Sequence, residues 1–122
     1  MCPQMRFVKY DAGEEFRPHQ DDVDYAVDGH RHRLCRSGLT LVLYLNDNFE
    51  GGGLQFLQPP RVVVEQGSKP QTVYDPTAAP LPPARGRALL FPQHLYHTAT
   101  SLAAGSKYVV QTSIMYARQQ QT

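Results

Sequence analysis

The sequence predicts an all-β chain of the sandwich, barrel or jelly-roll kind, and three observations predict it. Apolar residues recur with period two rather than 3.6, so side chains alternate between two faces as they do on strands. No window carries the apolar stripe of an amphipathic helix. Ten prolines and nine glycines are spread through the 122 residues, punctuating short strands.

Residues 6–10 (RFVKY) read as a first strand. Residues 16–21 (FRPHQD) read as a second, with Pro18 restricting its pairing because proline lacks an N–H. Residues 39–45 (LTLVLYL) form an unbroken apolar run with β-branched and aromatic members, the pattern of a strand buried on both faces. Residues 54–57 (LQFL) follow Gly51-Gly52-Gly53, residues 61–65 (RVVVE) are a further strand candidate, and residues 88–91 (ALLF) lie between Gly86 and Pro92. From 108 to 116 the alternation is clear: Tyr108, Val110, Thr112, Ile114 and Tyr116 share one parity. Two stretches are expected as loops, the polar 23–37 with His30 and His32, and the proline-rich 66–85. There is no internal repeat, and the length favours one domain over residues 1–122.

Composition narrows the function classes. Hydrophobic residues at 41% and charged residues at 19% are globular values. Twelve Lys and Arg against eleven Asp and Glu give a net charge of +1, which supplies no broad field for nucleic acid or a membrane surface. Cys2 and Cys35 make no disulfide framework and are expected as free thiols in a reducing compartment. The first residues lack an apolar signal core and no run approaches the ~20 residues of a spanning helix, so the chain as it stands is expected to be soluble and cytoplasmic. The near-zero charge hides an asymmetry. Seven acids and one base, Arg17, lie between Asp11 and Asp28, whereas no acid occurs from Pro76 onward. Such runs are commonly solvated surface; here they also divide a cation-attracting early segment from an anion-attracting late one.

The chemistry-bearing pattern is His19-Gln20-Asp21. On a strand, residues i and i+2 project from one face, so an imidazole and a carboxylate would point together. A histidine from a later strand, His94 or His97, would complete a two-His-one-carboxylate set, which holds iron(II) on one side and leaves coordination positions open. His-x-Asp alone also arises on solvated strands. Ten residues after His97 comes Lys107, behind Gly105-Ser106 at the start of the alternating strand. A lone strand-end lysine usually reaches water, but one projecting into a small barrel needs an anion. A dicarboxylate chelating iron at one end and paired with Lys107 at the other meets both needs.

Three stretches carry a family resemblance: KYDAGEEFRPHQD (9–21), LTLVLYLND with EGGGLQFL (39–57), and GRALLFPQHLYHTATSLAAGSKYVVQTSIMY (86–116). In order and spacing they resemble the iron(II)- and 2-oxoglutarate-dependent dioxygenases, specifically the prolyl 4-hydroxylase-like branch. The resemblance implies a double-stranded β-helix (jelly-roll) core with little or no N-terminal helical support. It implies His19, Asp21 and His97 as iron ligands and Lys107 as the site of the far carboxylate of 2-oxoglutarate. Tyr10 falls where the family places a tyrosine in the cosubstrate pocket; as an aromatic it also suits a core position. Thr40 is placed to reach the cosubstrate, and Thr112, of opposite parity to Lys107, is left unassigned. The implied cofactors are Fe(2+), 2-oxoglutarate and dioxygen, with ascorbate as an optional addition. The implied reaction hydroxylates a prolyl or other peptidyl side chain, or a small molecule, with release of succinate and carbon dioxide. Neutral imidazoles are required, so metal affinity is expected to fall toward pH ~6.

The chain departs from the family where Gln111 and Ser113 replace a frequent Arg and Asp, and where Gly51-Gly52-Gly53-Leu54-Gln55-Phe56 replaces GGETxF. His94 shares HxxH with His97, but only His97 has the right spacing to Gly105 and Lys107, so His94 is expected at the rim. His30-Arg31-His32 resembles the HxH pair of a cupin, although its nearby arginines suit a cation poorly. The alternative function is therefore a non-catalytic cupin-like metal binder or fragment barrel acting as a binding module. The expected partner is a peptide, protein or small-molecule substrate, with no nucleic acid and no membrane.

Overall fold

The computed structural model describes residues 5–29 and 33–117, so Cys2, His30, His32 and Arg118 lie outside the described residues. Twelve strands run through them: β1 Arg6–Asp11, β2 Phe16–His19, β3 Tyr25–Asp28, β4 Arg33–Tyr44, β5 Glu50–Gly51, β6 Leu54–Leu57, β7 Arg61–Val63, β8 Gln71–Val73, β9 Ala88–Pro92, β10 Tyr96–Ala99, β11 Leu102–Ala104 and β12 Ser106–Ala117. Among the described residues there is no helix, and none long and apolar enough to cross a membrane. The fold is all-β with a jelly-roll core.

The apolar run 39–45 forms most of β4, which with β12 makes the spine of a five-stranded sheet in the order β1-β12-β4-β3, with β9 also pairing β4. A three-stranded sheet, β2-β10-β6, faces it, and every strand pair is antiparallel. The two sheets meet where Phe91 of β9 packs edge-on against Phe56 of β6 and His97 of β10, at centroid distances of 5.2 Å and 4.9 Å. Side chains on the inner face of the large sheet line up across strands. Tyr10 opposes Lys107, Val109 opposes Tyr44, Gln111 opposes Val42, and Thr40 stands between Ser113 and Phe91.

The alternation at 108–116 locates β12 correctly, but its apolar parity is not the cavity-facing one. Tyr108 is 42% exposed, while Lys107 and Val109 are each 5% exposed. The two expected loops also carry structure. Residues 23–37 contain β3 and the start of β4, joined as a hairpin. Residues 66–85 contain β8, which pairs β7, and then run along the open edge of β6. There the Leu81 N–H donates to the Leu54 carbonyl, the Thr77 N–H donates to the Phe56 carbonyl, and the Asp75 carbonyl accepts from the Gln58 N–H. Pro76 and Pro80 sit between these contacts, where no donor is required, and the stretch covers an edge that would otherwise be unpaired. Strand 61–65 stops at Val63, and the expected strand 16–21 stops at His19.

Gly51 shows how tightly the β5 turn is drawn against β11. Its φ is +80°, and a Cβ there would lie 2.3 Å from the Ser101 carbonyl oxygen. Gly13 has a similar φ of +88° with nothing within 4 Å of such a Cβ. Both alanine variants carry the left-handed penalty of about 1–2 kcal/mol. Gly51→Ala must in addition displace backbone, and a total loss of about 3 kcal/mol or more is expected. Urea unfolding of the two variants measures the difference; equal losses would contradict the packing at Gly51.

Candidate active site

In the β2–β10 pair His19 lies directly opposite His97, so both imidazoles leave the small sheet from the same face. Their ring centroids are 4.3 Å apart. The chain leaves β2 immediately after His19, and Asp21 belongs to an irregular strap. The strand-parity argument for Asp21 therefore fails in its premise, yet the carboxylate still arrives between the rings. Asp21 Oδ1 lies 3.3 Å from His19 Nε2 and 3.4 Å from His97 Nε2. Thr40 donates to the other oxygen, Oδ2, at 2.5 Å. Thr40, for which the sequence offers no more than a guess at a cosubstrate contact, serves Asp21 here, because the strap crosses the inner face of β4.

Each imidazole is turned by the backbone carbonyl two residues before it. His19 Nδ1 is 2.6 Å from the Arg17 carbonyl, and His97 Nδ1 is 3.0 Å from the Leu95 carbonyl. A carbonyl only accepts, so each Nδ1 carries the proton and a neutral ring has its lone pair on Nε2. Two such lone pairs and a carboxylate oxygen then aim at one point, a donor set that repels itself unless a cation or extra protons stand among them. One ligand atom from each of the three residues lies within 4.8 Å of the others. The donor set, the backbone-fixed ring orientations and the free Oδ1 fit a divalent metal held on one face.

The electrostatics agree. Burial pushes the Asp21 carboxyl upward, but the adjoining His19 and His97 rings, whose protonated forms its charge would attract, and the Thr40 hydroxyl outweigh it and hold the group well below the usual carboxylate range. Partial burial works against the His19 imidazolium, while its contacts with Asp21 and the Arg17 carbonyl dominate and raise its pKa. His97 is 4% exposed.

Lys107 lies on the inner face of β12, opposite Tyr10. Its Nζ donates to the Gly52 carbonyl at 2.9 Å and stands 4.3 Å from the Tyr10 ring centroid. Among the described residues no carboxylate pairs with it. Burial alone lowers its pKa to about 8. Gly52, with φ +70°, allows this approach: a Cβ there would meet Leu102 Cδ1 at 3.1 Å and Lys107 Cδ at 3.4 Å. A cavity of about 50 Å³ joins this ammonium to His19 and His97, walled by Val42, Tyr44, Leu54 and Phe91. It continues past Tyr10 and Gln111 into a wider polar mouth of about 440 Å³ that includes Asp21, Asp22 and Asp24.

Of the residues singled out in the sequence, His19, Asp21 and His97 come together, and Lys107 and Tyr10 line the adjoining cavity. His94 is exposed and its side chain is not in the cluster; its carbonyl accepts from Gln20 at 2.7 Å. Sequence reasoning missed Gln93, buried at 4% exposure, whose carbonyl accepts the Asp21 N–H at 3.3 Å. Nothing in the local pattern of residues marks it.

The family model for the 2OG-Fe(II) oxygenase superfamily matches residues 5–115. The chain belongs to that superfamily. A solved oxidoreductase of the 2OG-Fe(II) oxygenase family from Burkholderia pseudomallei shares the fold at a TM-score of 0.55 and 15% identity, over 89% of this chain and 40% of that one. The chain thus spans well under half the length of that structure. No curated protein matches it. Membership in the 2OG-Fe(II) oxygenases implies Fe(2+) and 2-oxoglutarate, and the cluster of two imidazoles and a carboxylate beside a buried, acid-free lysine suits both.

The lowered Lys107 pKa fixes the sign of a pH dependence. The unfolded chain holds this proton up to about 10.5, whereas the folded chain releases it near 8. The ligand-free protein therefore gains stability as pH rises between those values, by about 3 kcal/mol in the limit. Lys107→Met should remove that gain, and the difference between the two pH–stability curves measures it; parallel curves would show that Lys107 keeps its ordinary pKa.

Proposed function

We propose that the chain is an iron(II)- and 2-oxoglutarate-dependent dioxygenase that hydroxylates a prolyl or other peptidyl side chain, or a small molecule. In the overall reaction 2-oxoglutarate, dioxygen and a C–H bond become succinate, carbon dioxide and an alcohol. The observation that carries this reading is a cavity shared by His19, His97 and Lys107, with Asp21 beside the two imidazoles in its mouth and a buried ammonium that no carboxylate among the described residues pairs. The resemblance of residues 9–21, 39–57 and 86–116 to the prolyl 4-hydroxylase-like branch supports a peptidyl substrate.

His19, Asp21 and His97 would hold the iron, and the bound metal with its cosubstrate and dioxygen would supply the oxidising chemistry. The protein's own contribution is positional. The Arg17 and Leu95 carbonyls keep Nδ1 of each ring protonated and present Nε2 to the site. Thr40 occupies Asp21 Oδ2 and leaves Oδ1 free. Lys107, held by the Gly52 carbonyl and the Tyr10 face, would take the far carboxylate of 2-oxoglutarate. Val42, Leu54, Phe91 and Val109 keep the path between them apolar, which strengthens the charge pairing at both ends.

Oxygen-dependent formation of succinate from 2-oxoglutarate by the Fe(2+)-loaded chain, stimulated by a proline-containing peptide or a small molecule, tests the activity. Metal binding without any succinate would leave a binding module instead. Lys107→Ala should raise the apparent KM for 2-oxoglutarate by about 10- to 100-fold, the loss of one charge-assisted hydrogen bond. An unchanged KM would remove the lysine from the cosubstrate site. His19→Ala should lower Fe(2+) affinity by a hundredfold or more in a direct titration, and binding as tight as the parent's would show that the ligand set is different.

A further inference from the structure

Asp21 has no strand register to hold it, because β2 ends two residues earlier. Besides the Thr40 hydroxyl on Asp21 and the Ser37 N–H on the Asp24 carbonyl, the strap that carries it is held by a closed set of hydrogen bonds centred on Gln93. The Asp24 N–H donates to Ser37 Oγ at 2.7 Å. Ser37 Oγ–H donates to Gln93 Oε1 at 2.7 Å, and Gln93 Nε2–H donates to Ser113 Oγ at 3.2 Å. Ser113 Oγ–H donates to Asp24 Oδ2 at 3.2 Å, which returns the ring to the strap. Its direction is forced from both ends, since a backbone N–H can only donate and an ionised carboxylate can only accept. The Gln93 amide consequently has one orientation, and each hydroxyl both donates and accepts.

Gln93 also bonds through its backbone. Its carbonyl accepts from Asp21 N–H at 3.3 Å, and its N–H donates to the Gly38 carbonyl at 3.0 Å. Gly38 is the extra residue of a bulge: Leu39 pairs Ile114, but Ser37 pairs Met115. The Gln93 N–H bond to the Gly38 carbonyl extends the β4–β9 pairing, in which Leu39 opposes Pro92, by one residue. A Cβ at Gly38 would press on the Tyr116 ring at 3.1 Å. Ser37 and Gln93 are 3% and 4% exposed, so water does not readily replace these bonds.

We propose that Gln93 is a positioning residue of the active site: through the ring with Ser37, Ser113 and Asp24 it holds the strap so that the Asp21 carboxylate meets the two imidazoles. The inference rests on the metal-site reading above for its effect on metal binding, but not for its effect on the strap. Gln93→Met keeps the volume and the backbone bonds and deletes both amide bonds. Ser113→Ala opens the ring on one side and protects the test against a Gln93 variant that fails to fold.

Two readouts decide it. In a Co(2+) titration followed by its visible absorption, Gln93→Met should bind 10- to 100-fold more weakly than the parent, the usual size of such indirect effects, with Ser113→Ala intermediate. Leu57→Ala, a buried site on β6 outside the ring, should lose stability while binding Co(2+) like the parent. Amide hydrogen exchange should show at least a tenfold loss of protection at Asp21 and Asp24 in Gln93→Met, beyond any change at Val109 and Val110 in β12. Co(2+) affinity within twofold of the parent in both ring variants, or undiminished protection at Asp21 and Asp24, would overturn the proposal. A parent chain that takes up no Co(2+) removes the metal-site reading, and the exchange measurement still decides whether Gln93 holds the strap.

Discussion

A carboxylate set between two imidazoles in a largely buried cleft governs the arrangement of this chain. An ionised Asp21 at that depth is costly unless it is compensated, and each compensating group comes from a different element. His19 comes from β2, His97 from β10 and the Thr40 hydroxyl from β4, while the Gln93 carbonyl, in the turn between β9 and β10, accepts the Asp21 N–H and holds the backbone beneath the charge. Removing any one leaves a buried charge less well met, so the register of both sheets is coupled to the site. The same concentration of lone pairs that makes the cluster awkward by itself is what gives it affinity for a cation.

The opposite end of the cavity has the complementary problem. Lys107 places an ammonium where the described residues offer a carbonyl and an aromatic face but no acid. Those partners suffice to admit the charge and fall short of neutralising it, which is why burial depresses its pKa. A molecule with two anionic ends can relieve both strains at once, one against a metal at Asp21 and the other against Lys107. The triple glycine matters here through its backbone. Gly52 must turn through a left-handed conformation and leave no Cβ between its own carbonyl and the lysine stem.

What could be read in the sequence was whatever repeats locally or sits in a short motif. The run LTLVLYL and the alternation after Lys107 announced β4 and β12, because side-chain period is a local property. His19 and Asp21 were legible as a motif, although strand parity was the wrong reason for their meeting. The strands inside the two supposed loops were not legible. The short β3, set in a polar stretch, and the proline-flanked β8 are held by pairing with β4 and β7. Thr40 looked like a cosubstrate contact because nothing local shows that the strap crosses it. Gln93, Ser37 and Ser113 were invisible for the same reason: their pairing spans 56 and 20 positions of chain.

The inverted pattern of β12 follows from the same demands. On an ordinary sandwich strand the apolar parity faces the core, but here the inner parity begins with Lys107 and continues through Gln111 and Ser113. The inner parity carries the polar groups of the cleft together with Val109, and Tyr108, of the other parity, lies outward. Ser37, Thr40, Gln93, His97, Lys107 and Thr112 are as buried as Tyr44, Leu54, Leu57, Phe91, Leu102 and Val109. An interior so evenly divided draws less stability from apolar burial than its size suggests. Ligands that bind the folded cleft and not the unfolded chain restore part of it by mass action. Occupancy of the two ends and integrity of the two sheets are therefore one thermodynamic problem, and the cleft whose polar interior weakens the fold is the one through which a metal and a dicarboxylate, bound as proposed, would strengthen it.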